Sequence, residues 1–359
     1  MNAHDRSATP RAARPASLLD VARDAGVSTG TVSRALSRPE MISAATRERV
    51  LAAAERLGYV ANGAARALAM QRTRTIGAIV PRFGTSSFPT MIQSLEATLA
   101  ADGYTLLLSA PEHGRVPESR ILRALIERGV DAVALLGEKH DDATLAMLAR
   151  HRLPAVLMWC RRAGRSDCVG FDEKHAGALL IAHLAELGHR QVGFIGGRRT
   201  HNERARARFA GVRAALARHG MVLSPEATVE TDYGFAQGFD AMQAILARRT
   251  AVTAVVCGND YLAIGALSAL DRAGIEVPRM QSVVSFNDND FAAFSHPPLT
   301  TVRLPIHAIG EQAGHYLIAR LNGLPVREAD ALPVELVVRE SSGVARQQRP
   351  DRPAARRKR

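Results

Sequence analysis

Apolar residues recur at helical spacing three times near the start of the chain. Leu18, Val21 and Ala22 mark the first run, and Gly26 stops it. Ser28 is placed to cap a second helix over 29–36, with Val32, Ala35 and Leu36 inward and Thr29, Gly30, Ser33 and Arg34 outward. Ser43 is placed to cap a third helix, whose Val50, Leu51, Ala54 and Leu57 are expected to close a small core. The turn Ala25-Gly26-Val27 between the first two helices is that of a helix-turn-helix, with Gly26 relieving the backbone. Residues 62–69 then predict a short helix with Asn62 as its cap, followed by a polar joint at 71–74. A helix that short is marginal alone, so it should form only when something holds it.

From Thr75 the pattern alternates between short apolar runs and amphipathic stretches. Strands are expected at 75–81, 105–110, 130–136 and 154–158, with helices at 89–104, 117–128 and 141–151 between them. A second series follows: helix 173–187, strand 191–195, helices 203–219 and 234–247, strand 254–257, helix 260–273 and strand 282–286. Apolar strands joined by helices imply parallel sheets covered on both faces. Two such series predict an α/β body of two doubly wound lobes, with ligands bound beyond the carboxyl ends of the strands. The Arg-, Ala- and Pro-rich ends, 1–16 and 343–359, are expected to be disordered.

Charge sharpens this division. Residues 1–74 hold 12 Lys+Arg against 6 Asp+Glu, residues 343–359 hold 7 against 1, and the remaining 75–342 hold 28 against 28. The whole net charge of +12 therefore sits at the two ends. A basic end beside a neutral body is the footprint of a nucleic-acid-binding module joined to something else. In such a motif the second helix enters a major groove.

Other chemistries find little support. The three cysteines, Cys160, Cys168 and Cys257, make no zinc-like spacing, and the 12 histidines form no metal pair on one helix. His189 is expected to be structural. Gly193–Gly197 is glycine-rich without the dinucleotide spacing, and no P-loop, H-E-x-x-H or G-x-S-x-G is present. No enzyme, cofactor or metal is expected. No apolar run reaches the roughly 18 residues of a membrane span, and the first residues lack a signal peptide's apolar stretch. A cytoplasmic protein is expected.

Residues 17–69 resemble the DNA-binding headpiece and hinge of the lactose-repressor (LacI/GalR) family almost position for position. Leu187-Gly-His-Arg190, Phe194-Ile-Gly-Gly197, Asn259-Asp260 and Pro297-Pro-Leu-Thr-Thr-Val302 extend the resemblance to about residue 340. It implies a helix-turn-helix domain at 17–61, a hinge helix and linker at 62–74, and a periplasmic-binding-protein-like core at 75–342. The core would divide into a first lobe, about 75–172 with 305–332, and a second, about 173–303 with 333–342. Thr29 and Gly30 take the base-selecting positions, and Arg34 a base- or phosphate-contacting one. Ser28, Thr31, Ser33, Ser43 and Asn62 hold the DNA backbone. Leu68, with Ala65 beside it, takes the place of a leucine wedged into the minor groove. Gly30 is a departure, since it has no side chain to read a base.

The resemblance further implies a homodimer on palindromic double-stranded DNA and a small-molecule effector between the lobes. The tetramerising heptad tail of one well-known member is not expected at the Arg/Pro-rich end. The effector positions are Phe83, Ser87, Phe88, Trp159, Arg208, Tyr233, Asn259 and Asn287. Asn287 replaces the family's usual Asp, which favours a less cationic effector. The implied function is a ligand-switched transcriptional repressor. A sugar-binding transport protein or an enzyme on the same core are the alternatives, and both lack a reason for the headpiece.

Overall fold

Serines set the helix starts in the N-terminal unit, Met1–Arg74. In α1 (Leu18–Ala25), Ser17 Oγ accepts from the Asp20 backbone N–H, and the Asp20 carboxylate accepts from that of Ser17. This reciprocal box satisfies donors that the first helical turn leaves open. Gly26 ends α1 at φ 64°, a left-handed conformation costly for a side chain. Ser28 caps α2 (Thr29–Ser37) and Ser43 caps α3 (Ala44–Arg56), each accepting from the N–H three residues on. The computed structural model describes residues 14–61, 63, 67, 72–80, 87–110, 116–161, 164–200, 202–327 and 330–346.

Val21, Ala22, Ala25, Val32, Ala35, Val50, Ala53 and Ala54 form the headpiece core. Two expected members are corrected: Leu51 is 44% exposed and Leu57 38% exposed. The inward stripe of α3 runs through Val50, Ala53 and Ala54, so Leu51 lies about 100° round the helix from Val50. Leu57 caps the helix where the chain turns away, and Tyr59 covers the core instead.

The unit Thr75–Arg359 carries two sheets. The first has order β2-β1-β3-β4-β5, all parallel, from β1 (Thr75–Ile79), β2 (Thr105–Ser109), β3 (Ala132–Leu136), β4 (Ala155–Met158) and β5 (Cys168–Val169). The second has order β11-β10-β9-β8-β6-β7, from β6 (Gln191–Gly197), β7 (Val222–Thr231), β8 (Ala254–Cys257), β9 (Ser282–Asn287), β10 (Thr300–Arg303) and β11 (Glu335–Val337). Only its edge pair β10–β11 is antiparallel. The helices Phe88–Ala101 and Ile306–Leu321 cover the first sheet; Glu173–Glu186 and Glu203–Arg218 pack together by the second.

Sequence periodicity missed β5, β7, β10 and β11. β7 alternates weakly around Pro225, and β10 lies inside a Pro-rich motif. The ordered body also runs further than expected. Gly343 donates its N–H to Ser282 Oγ and Ala345 donates to the Leu187 carbonyl, so the expected tail does not begin at 343. Residues 1–13 and 347–359 lie outside the described residues.

Close helix contact aims the side chains described next. A Cβ on Gly211 would stand 2.8 Å from Lys174 Cα and 3.0 Å from the Glu173 carbonyl oxygen. On the facing helix, a Cβ on Gly177 would stand 3.0 Å from Val212 N. Glycine at both positions lets Glu173–Glu186 and Glu203–Arg218 touch backbone to backbone. Gly211→Ala should therefore lower unfolding stability by about 1–3 kcal/mol through overpacking, read from chemical denaturation. An unchanged midpoint would show that the contact is not tight.

Candidate functional site

Two surfaces carry the chemistry. On the headpiece, Ser28, Thr29, Gly30, Ser33, Arg34 and Ser43 are exposed, and Thr31 is half-buried. The outward residues of α2 share one face because they recur one turn apart. Ser28 Oγ accepts from Thr31 N at 3.1 Å and lies 2.9 Å from Thr31 Oγ1, so the cap fixes the start of this face. Ser43 likewise accepts from Thr46 N. Asn62, Ala65 and Leu68 lie outside the described residues.

Gly30 needs no glycine backbone and meets no packing restraint. A Cβ there would lie 3.8 Å from Ser28 Oγ and 3.9 Å from Arg34 Nη2. The Arg34 guanidinium thus reaches back over Gly30 toward the first turn of α2. The missing side chain leaves this end of the helix to Thr29 and Arg34.

The second surface joins the two sheet halves. Arg208, on Glu203–Arg218, donates from Nε to Glu173 Oε2 and from Nη2 to Glu173 Oε1, both at 2.9 Å. Its Nη1 donates to the Gly258 carbonyl, and its cation lies 4.6 Å from the Phe286 ring centroid. Burial depresses the guanidinium's pKa, but the Glu173 charge and hydrogen bonds outweigh it, so the net shift is upward. Trp159, at the end of β4, donates its Nε1–H to the same Glu173 Oε1 at 3.1 Å. Its ring meets Phe88 and Phe171 edge-on at 5.5 and 5.6 Å. Tyr233 lies in the loop after β7 with its ring over Gly197, where a Cβ would come within 2.5 Å of Cζ. Burial raises its pKa.

Ser87 and Phe88 open the helix that follows β1; Phe83 lies outside the described residues. Ser87 Oγ accepts from Asn287 Nδ2 at 3.0 Å and donates to Asn289 Oδ1 at 2.9 Å. Asn289 Nδ2 donates in turn to Asp260 Oδ2. Asp260 also accepts from Ser285, Thr301 and the Asn289 backbone, while burial pushes its pKa up to about 6. Asn259 turns its carbonyl oxygen to Leu262 N as a helix cap. Backbone strain gathers here: Trp159, Asn287 and Asp288 have φ of 60°, 112° and 56°.

Phe88, Trp159 and Arg208 are thus linked directly or through Glu173, and Ser87 and Asn287 to each other. Asn259 is engaged as a cap, and Tyr233 reaches the cluster from the next loop. Sequence reasoning missed Glu173, Arg204 and Asn289, and named Asp260 only as a mark of the family, not as a site residue. Glu173 reads as an ordinary acidic first-turn residue, and nothing local announces a partner 35 positions on. Arg204 was findable, because it lies four residues before Arg208 and so on the same helix face. A further contact crosses the halves: Glu203 Oε1 accepts from Glu138 N at 2.5 Å. His140 stands nearby, with Nδ1 2.8 Å from Glu118 Oε2 and Nε2 3.2 Å from the Gly137 carbonyl.

The chain matches two family models: bacterial regulatory proteins of the lacI family over residues 17–62, and a periplasmic binding protein-like domain over 181–342. It is 34% identical over 309 residues to the HTH-type transcriptional repressor PurR of Erwinia tasmaniensis, covering 85% of this chain and 90% of that protein. It is 34% identical over 331 residues to the HTH-type transcriptional repressor CytR of Escherichia coli K12, covering 91% and 96%. Among solved structures it is similar to the lac repressor dimer bound to operator and the anti-inducer ONPF, with TM-score 0.82 and 28% identity over 92% of this chain and all of that one.

Gly30→Ala should raise the headpiece's thermal stability, by up to about 1 kcal/mol from helix propensity, because the added methyl has room. A fall in melting temperature would contradict the open geometry. Both ring nitrogens of His140 face acceptors. Burial opposes its charge, but Glu118 and the Gly137 carbonyl raise its pKa above 6.5 overall. The stabilisation is therefore full below about pH 6.5 and lost as pH rises through the raised value. Melting temperature should fall across that window in the wild type, and this component should vanish in His140→Gln. Parallel profiles would contradict it.

Proposed function

Because the chain belongs to the lacI family of bacterial regulatory proteins, we propose that it is a DNA-binding transcriptional repressor whose operator affinity is switched by a small molecule held between the two sheet halves. The observation that carries the first part is the capped, exposed face of α2 on a basic headpiece. Phosphate contacts position such a module, and base-edge contacts specify. Ser28, Thr31, Ser33, Ser43 and Asn62 hold the backbone, Thr29 reads bases beside Gly30, and Arg34 contacts a base or a phosphate. Two copies related by a two-fold axis read the two half-sites of a palindrome, so the acting species is a homodimer. The headpiece is 17–61, the hinge and linker 62–74, and the core 75–342, with one lobe about each sheet. The protein acts in the cytoplasm, where the DNA is; no described helix is long and apolar enough to cross a membrane.

The aromatic and polar cluster around Glu173 supports the second part. Phe88, Trp159 and Tyr233 offer ring faces and edges, while Ser87, Arg208 and Asn287 offer hydrogen bonds. Phe83 and Asn259 complete the set of effector positions. Leu68 and Ala65, outside the described residues, stand at the sequence positions where the family resemblance puts the hinge's minor-groove wedge.

The test separates base reading, phosphate contact and wedging. Deleting residues 1–70 should abolish operator binding. Leu68→Ala should weaken binding by about 1–2 kcal/mol and reduce operator bending, with the salt slope nearly unchanged. Arg34→Ala should lower affinity and, where the guanidinium touches phosphate, flatten the slope by about one unit. Specific operator retention by the 71–359 fragment would overturn the assignment.

A further inference from the structure

Two arginines one turn apart point into the region between the sheet halves, and of the two only Arg208 has an ion pair with a described residue. Arg208 has Glu173. Arg204 forms no hydrogen bond or ion pair with any described residue. Its guanidinium lies 5.5 Å from the Phe88 ring centroid, and its Nη1 is 3.3 Å from where a Cβ on Gly137 would stand. Phe88 and Gly137 belong to the first half, so this cation of the second half reaches across. Burial lowers its pKa, with Tyr233, Glu203 and Glu173 opposing. Half-buried, with the Glu203 and Glu173 charges nearby but no hydrogen bond or ion pair to a described residue, this guanidinium keeps its donors for an anion in reach.

A second observation concerns hydrogen-bond polarity. The Asp260 carboxylate only accepts, so Asn289 must turn its NH2 to Asp260 and its Oδ1 to Ser87. Ser87 then donates to Asn289 and accepts from Asn287 Nδ2. The relay fixes the Asn287 amide, and its Oδ1 is buried without a partner, in a residue only 7% exposed. A buried acceptor left open calls for an O–H or N–H donor. An aspartate at this position would add a negative charge; the amide adds none.

We propose, on the repressor reading above, that the effector is an anionic polyol. Its carboxylate or phosphate docks on Arg204, and one of its hydroxyls donates to Asn287 Oδ1. Sugar acids and sugar phosphates share this chemistry, whereas neutral sugars and nucleosides lack the anion.

Full-length protein is tested by thermal shift and calorimetry. The probes are D-gluconate, D-glucuronate, D-ribonate, glucose 6-phosphate and ribose 5-phosphate, against D-glucose, D-ribose and adenosine. At least one anion should raise the melting temperature, and its neutral counterpart should not. The carboxylate and phosphate arms distinguish the two sources. Arg204→Gln should weaken the binding anion about tenfold or more, and Asn287→Asp, which sets a carboxylate against it, by a similar factor. Binding only by neutral compounds, no shift with any anion, or an undiminished anion affinity in Arg204→Gln each overturns the proposal. Operator retention by the unliganded wild type tests the repressor reading separately.

Discussion

The buried Glu173–Arg208 pair is the contact on which the two-sheet body depends. Both carboxylate oxygens accept from one guanidinium, and one of them also accepts from Trp159. Charges taken out of water are tolerated only when geometry and further hydrogen bonds compensate them. Here the remaining guanidinium nitrogen reaches the Gly258 carbonyl, and Phe286 lies beside the cation. Removing either partner leaves the other charged and buried, at a cost of about 3–5 kcal/mol. The close approach at Gly177 and Gly211 brings the two helices near enough for the pair to form. A truncation of Arg208 therefore perturbs the fold as well as any ligand.

The same carboxylate ties the halves together, since Trp159 follows β4 and Glu173 begins the first helix beside the second sheet. Ser87 with Asn287 and Asn289, and Glu138 with Glu203, add contacts across the same boundary. Several of these bonds involve strained residues at strand ends, where the surrounding packing must over-determine the backbone. A small molecule shifts the arrangement of the halves only as far as it binds one arrangement better than another. Groups that can supply that difference are Arg204, which forms no hydrogen bond or ion pair with a described residue, and Asn287 Oδ1, which has no donor among them.

Local chemistry made much of this legible from sequence. Serine caps and Gly26 fixed the headpiece helices, and apolar runs located most strands of both sheets. What sequence left out was long-range or subtle. Leu51 and Leu57 looked like core by composition, yet alanines at 53 and 54 fill the inward face of α3. Strand β7 was hidden by a weak alternation and Pro225. The candidate effector cluster was half visible: aromatic and polar residues at strand ends stood out, but Glu173 gains its meaning only when Gly211 brings Arg208 to it. Gly30 could not be judged until the space above it, and the reach of Arg34, were known.

Trp159 is the single tryptophan of the chain, 7% exposed and bonded to Glu173, so its fluorescence reports directly on the central pair. The decisive measurement compares emission maximum and acrylamide quenching in the wild type and Glu173→Gln, with circular dichroism confirming a folded sample. The wild type should emit in the blue-shifted range of a buried indole and resist quenching. Glu173→Gln should shift to the red and quench more readily, as the uncompensated Arg208 charge draws water into the boundary. Identical emission and quenching in the two proteins would contradict the claim that Glu173 holds the halves together.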